Sequence, residues 1–69
     1  MTDTMHVKPA TKEVLNTLNR SWPNFLSVPL LMRLTKQTDV RKRVSEAIAA
    51  GYDVEKERNG RYTNYRWTA

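Results

Sequence analysis

Cysteine is absent from the 69 residues, which excludes a disulfide framework, a thiolate metal site and thiol chemistry. Histidine occurs once, at His6, in a polar leader and away from any carboxylate pair. The two glycines, Gly51 and Gly60, are too few and too far apart to form a phosphate-cradling loop. No apolar run approaches the roughly 20 residues of a membrane-spanning helix. The opening MTDTMHVKPA has neither the basic n-region nor the apolar h-region of a signal peptide. These absences lead us to expect a cytoplasmic protein that is not an enzyme, with no catalytic residues, metal or cofactor and no membrane association. A chain of this size hides only about 60% of the surface its unfolded form exposes. Its core is therefore thin and rests on packing alone.

What is present is positive charge, unevenly placed. Twelve Lys and Arg against seven Asp and Glu give a formal net charge of +5. Residues 33 to 43 hold Arg33, Lys36, Arg41, Lys42 and Arg43 against Asp39 alone, +4 within eleven positions. Such a cluster is the local footprint expected for a polyanion. It also fits a solvated helix face.

Along the chain, residues 1 to 9 read as a flexible leader and 10 to 69 as one domain. Thr11 is a candidate N-cap for a first helix whose Val14, Leu15 and Leu18 share one face. Pro23 pushes Trp22 towards an extended backbone and ends that helix. Phe25 and Leu26 either form a short extra strand near residues 24 to 27 or plug the core, and Trp22 is expected to plug it too. A second helix starts after Ser27, a cap, with Pro29 in its first turn and Leu30, Leu31 and Leu34 as its apolar residues. Thr35 and Thr38 are cap candidates for a third helix over residues 38 to 50. In that helix Val40, Val44, Ala47 and Ile48 form an apolar stripe, and Gly51 stands where a left-handed residue is wanted.

YDVEKERNGRYTNYRW, residues 52 to 67, reads as two alternating strands joined by an Asn59-Gly60 turn of type I′. Counted outward from that turn, Arg58 opposes Arg61, Val54 opposes Tyr65, Asp53 opposes Arg66 as a charge pair, and Tyr52 opposes Trp67. Tyr52, Val54, Tyr65 and Trp67 then face the helices, and Glu55, Glu57 and Arg66 face away. Tyr62 lies on the polar face, placed to contact phosphate or sugar or to shield Glu57. The tip, residues 56 to 61, projects into water with Lys56, Arg58 and Arg61. Two arginines directly opposed cost stability unless an anion lies between them.

The order of elements is that of an α+β winged helix-turn-helix domain, three helices followed by a two-stranded β-hairpin wing. The run VRKRVSEAIAAGYDVEKERNGRYTNYRW, residues 40 to 67, resembles the recognition helix and wing of the DNA-binding domain in the biotin-operon repressor family. There, too, the third helix ends in a Gly-aromatic step into an alternating strand, a Gly-containing tip and a returning aromatic strand. The turn before helix 3 departs from the family, having no glycine and about one residue less. No ligase-like segment follows the wing, so the resemblance implies a small stand-alone regulator of bacterial or phage type, excisionase-like architectural proteins included.

The major groove of a duplex accepts an α-helix with a cationic outer face. At 100° per residue from the Val40 stripe, Lys42 points away from the core with Thr38 and Ser45 near it, and these three are candidates for base edges. Arg41 and Arg43 flank them and, with Lys36 and Gln37, are candidates for the phosphate backbone. Glu46 is expected to pair with Lys42. Lys56, Arg58 and Arg61 would carry the wing to the backbone or the minor groove. The expected function is double-stranded DNA binding, in transcriptional regulation or as a recombination accessory factor, by two copies that dimerise or bind side by side. A protein-binding winged helix, an inhibitor or adaptor docking its basic face on an acidic partner, fits the same charge. Single-strand or RNA binding through exposed aromatic rings is a third reading.

Overall fold

The computed structural model describes residues 8 to 69. The leader reading for residues 1 to 7, His6 included, lies outside the described residues. The order is α1 (Pro9–Ser21), β1 (Leu26–Ser27), α2 (Val28–Thr35), α3 (Val40–Ala49), β2 (Glu55–Asn59) and β3 (Tyr62–Arg66). The strands form one antiparallel sheet in the order β1-β3-β2. Three helices followed by a hairpin, with a short strand returning from between α1 and α2, make an α+β winged helix-turn-helix.

Helix α1 begins two residues before Thr11. Pro9 occupies the first turn, where its missing N–H costs nothing and its fixed φ suits the helix. Thr11 is therefore not the N-cap. It is fully buried, and its hydroxyl donates to Glu46 Oε1 at 2.9 Å. Val14, Leu15 and Leu18 are buried as their spacing predicts. The helix stops at Trp22, which turns extended before Pro23. Trp22 does not plug the core but stays 39% exposed. The Arg66 guanidinium sits 4.8 Å from its ring centroid and 4.5 Å from that of Phe25, and it donates to the Pro23 carbonyl. Cation–π contact thus holds the α1–β1 loop against the end of the sheet.

Ser27 caps α2 by accepting from the Leu30 N–H at 3.3 Å. Of the three leucines only Leu31 is buried, while Leu30 and Leu34 are exposed. The inward face of this eight-residue helix is instead Val28, Leu31, Met32 and Thr35. Thr35 substitutes for an aliphatic residue by donating its hydroxyl to the Leu31 carbonyl at 2.7 Å. It caps nothing. Lys36 then takes φ 56° and ψ 37°, the left-handed step that glycine supplies more readily. Lys36→Gly is therefore expected to raise stability by about 0.5–1 kcal/mol, read as a higher urea midpoint at unchanged slope. An unchanged or lower midpoint would show that Lys36 carries no strain.

Helix α3 is two residues shorter at its start and one at its end than the 38 to 50 span, with Asp39 as N-cap. Val40, Val44 and Ala47 are buried but Ile48 is 45% exposed. At 100° per residue Ile48 lies roughly 80° round from Val40, at the edge of the stripe. Gly51, at φ 103°, closes the helix. Its N–H bonds the Ile48 carbonyl and that of Tyr52 the Ala47 carbonyl, a Schellman motif.

The hairpin turn is Gly60-Arg61, one residue later than expected. Gly60 has φ 64° and Arg61 is not left-handed, the type II′ pattern, which requires one left-handed residue where type I′ requires two. Asn59 now opposes Tyr62, Arg58 opposes Thr63, Lys56 opposes Tyr65 and Glu55 opposes Arg66. The Arg58–Arg61 and Asp53–Arg66 pairs do not form. Instead Arg66 binds Glu55 Oε1 through Nε at 3.0 Å and Nη2 at 2.9 Å. A two-residue slip preserves the faces because side chains alternate with period two. Val54, Thr63 and Tyr65 are accordingly buried and Glu55 and Glu57 exposed. Tyr52 and Trp67 meet edge to face at 5.6 Å, half-buried against the core.

Candidate nucleic-acid interface

The core places α3 so that its other side looks across at the wing. Val40, Val44 and Ala47 point into the domain, which leaves Arg41, Lys42 and Ser45 exposed. On the hairpin, even positions of β2 share a face with odd positions of β3, so Lys56 and Arg58 stand over the same side as buried Thr63 and Tyr65. Between helix and wing lies a groove of about 500 Å³, with Arg41 and Ser45 on one wall and Lys56, Arg58, Thr63 and Tyr65 on the other. A second groove of about 570 Å³ continues from it at Arg41. Thr38, Arg41, Lys42 and Arg61 border this one, together with Asp39, Tyr62 and the first turns of α2.

Seven of the ten residues singled out in the sequence therefore border one continuous surface: Thr38, Arg41, Lys42, Ser45, Lys56, Arg58 and Arg61. The other three do not. Lys36 is exposed at the end of α2 and lines neither groove. Gln37 donates from Nε2 to the Ala10 carbonyl at 3.1 Å, tying the α2–α3 turn to α1. The Arg43 side chain is only 11% exposed and its Nη1 lies 3.4 Å from Glu46 Oε1, which takes it out of the outward cationic strip. Its Nε is buried without a hydrogen-bond partner among the described residues.

Glu46 does not make its ion pair with Lys42. Its carboxylate accepts from Thr11 and pairs with Arg43 at 3.4 Å and Lys8 at 3.8 Å, bracing α3 against the start of α1. The Thr11 hydrogen bond holds the Glu46 carboxyl below its ordinary range; partial desolvation opposes this, and Arg43, Lys8 and Lys42 reinforce it. A lowered folded-state pKa adds stability above the unfolded value of about 4.5, and that stability is lost as pH falls through the folded value. Thr11→Val is thus expected to lower the melting temperature most near neutrality, with the gap to the unaltered chain narrowing in acid. A gap independent of pH would remove Glu46 from the brace.

Tyr62, which the sequence placed for phosphate or sugar, lines the second groove; Thr63, which borders both grooves, and Val28, Pro29 and Met32, which form the floor of the second, were not among the candidate residues. Alternation marks Thr63 as inward-facing, but no local pattern places the start of α2 beside the wing. That proximity follows from the pairing of Leu26 with Tyr65 and Ser27 with Asn64. Among the described residues no group of His, Cys, Asp or Glu is arranged to hold a metal ion, and no helix is long and apolar enough to cross a membrane.

No family model matches the chain, and no curated protein or solved structure matches it significantly. Function is read from the surface itself: five cations from two elements, Arg41, Lys42, Lys56, Arg58 and Arg61, bordering one concave strip.

Proposed function

We propose that the chain is a double-stranded DNA-binding protein of the regulator or recombination-accessory kind, a binding module and not a catalyst. Helix α3 lies in the major groove, with Lys42, Thr38 and Ser45 towards base edges. The wing brings Lys56, Arg58 and Arg61 to the flanking backbone or minor groove. The observation that carries this reading is the position of Arg41, which borders both grooves and so joins the helix cations to those of the wing. A duplex can engage all of them at once only if they share a side.

Binding is expected to weaken steeply with salt. About four phosphate-directed cations, Arg41, Lys56, Arg58 and Arg61, give a slope of log K against log salt of roughly −3.6. Anisotropy titrations of a labelled random-sequence duplex over a salt series measure it, and selection from a random duplex pool then gives the preferred site. No binding at micromolar protein in low salt would overturn the proposal.

One domain reads few base pairs, so two copies on a site are part of the proposal. They do not pair through the free edge strand β2. In a two-fold antiparallel pairing centred on any of residues 55 to 58, a charged side chain opposes its own copy.

A further inference from the structure

The duplex reading uses the cations of the second groove but not its floor. Val28, Pro29 and Met32 come from the first turns of α2, and Tyr62 comes from the wing. Val28 and Met32 pack against the core, so the floor is firmly rooted, while Tyr62 remains 48% exposed. A duplex has little to place there. In the major groove the thymine methyl is the one apolar group on a base edge, and a methyl leaves most of a groove of about 570 Å³ unfilled.

The rim decides what does fit. Arg41, Lys42 and Arg61 stand around this floor against a single carboxylate, Asp39. An apolar floor inside a cationic rim is complementary to a segment of the opposite pattern, carboxylates flanking a bulky apolar side chain. The charges would steer and orient such a segment. The unbranched Met32 side chain can adapt to the residue seated on it.

We propose that this groove docks an acidic segment of a protein partner, which seats an apolar side chain on Val28, Pro29, Met32 and Tyr62 and sets its carboxylates against Arg41, Lys42 and Arg61. Because Arg41 borders both grooves, the partner and a duplex exclude one another. This exclusion rests on the DNA-binding reading; the docking itself does not.

Random dodecapeptides displayed on phage and selected on the full chain supply the probe. Recovered peptides are then titrated by anisotropy against the unaltered protein, Met32→Gln and Tyr62→Ser, with circular dichroism confirming that each variant is folded. Enriched peptides are expected to carry Asp or Glu around one Leu, Ile, Phe or Trp, and to lose at least about tenfold in affinity on either variant. Duplex affinity should change by less than about twofold on Met32→Gln, and bound peptide should displace duplex. Enrichment of peptides without acidic residues would overturn the proposal, as would unchanged affinity when the apolar anchor becomes Ala. A parallel loss of duplex affinity would assign the floor to DNA, and a ternary complex would end the exclusion. Failure of the unaltered chain to bind any duplex overturns the DNA reading and the exclusion with it, while the direct peptide titration still decides the docking.

Discussion

Leu18→Ala is expected to remove about half or more of the stability of the domain. Leu18 is fully buried on α1, in the core cluster that also holds Leu31 of α2, Val40, Val44 and Ala47 of α3 and Tyr65 of β3. Truncating a buried leucine costs about 2–5 kcal/mol, through lost transfer energy and the cavity left behind. A domain of this length has only about 3–10 kcal/mol in total. No disulfide is available to offset the loss. Leu34→Ala is the control, since Leu34 is 50% exposed and its truncation should shift stability by no more than about 0.5 kcal/mol. Urea unfolding of both variants, followed by circular dichroism and tryptophan fluorescence, checks the contrast. Equal midpoints would mean that Leu18 is not part of what holds the core together.

That contrast shows where the pattern of residues is a good guide and where it is not. Val14, Leu15 and Leu18, and likewise Val40, Val44 and Ala47, are buried as their spacing predicts, because each stripe lies on a helix long enough for periodicity to be read. In α2, only eight residues long, leucine identity misled. Leu30 and Leu34 face outward while Thr35 faces inward, because a threonine that bonds its hydroxyl to the helix backbone tolerates burial. The hairpin faces were legible and the turn was not. Alternation is unchanged by a slip of two, and the choice between Asn59-Gly60 and Gly60-Arg61 depends on how many left-handed residues the turn must accommodate. Arg43, which flanks the outer strip of α3, and Gln37, which precedes that helix, were both candidates for backbone contacts. Arg43 instead pairs with Glu46 one turn along the same helix, a carboxylate that Thr11 of α1 holds in place, and Gln37 bonds the Ala10 carbonyl of α1. Long-range ties of this kind leave no local signature, nor does the proximity of Val28 and Pro29 to the wing.

Arg41→Ala is expected to weaken duplex binding by roughly 10- to 100-fold, the cost of about 1–3 kcal/mol for a directly contacting arginine. It should also flatten the salt slope by about one unit if the lost partner is a phosphate. Arg41 is exposed and borders both grooves, so its removal separates the helix cations from those of the wing with little effect on folding. Arg43→Ala should behave in the opposite way. With its side chain 11% exposed and turned to Glu46, Arg43 contributes to the brace between α3 and α1. Its loss should lower the melting temperature while leaving the salt slope of the folded protein unchanged. The two arginines are two residues apart on one helix and carry the same charge, so net charge alone predicts identical effects. A matching fall in affinity and slope for both would mean that binding follows the total charge of α3 and not the face it presents, and the groove between helix and wing would lose its role.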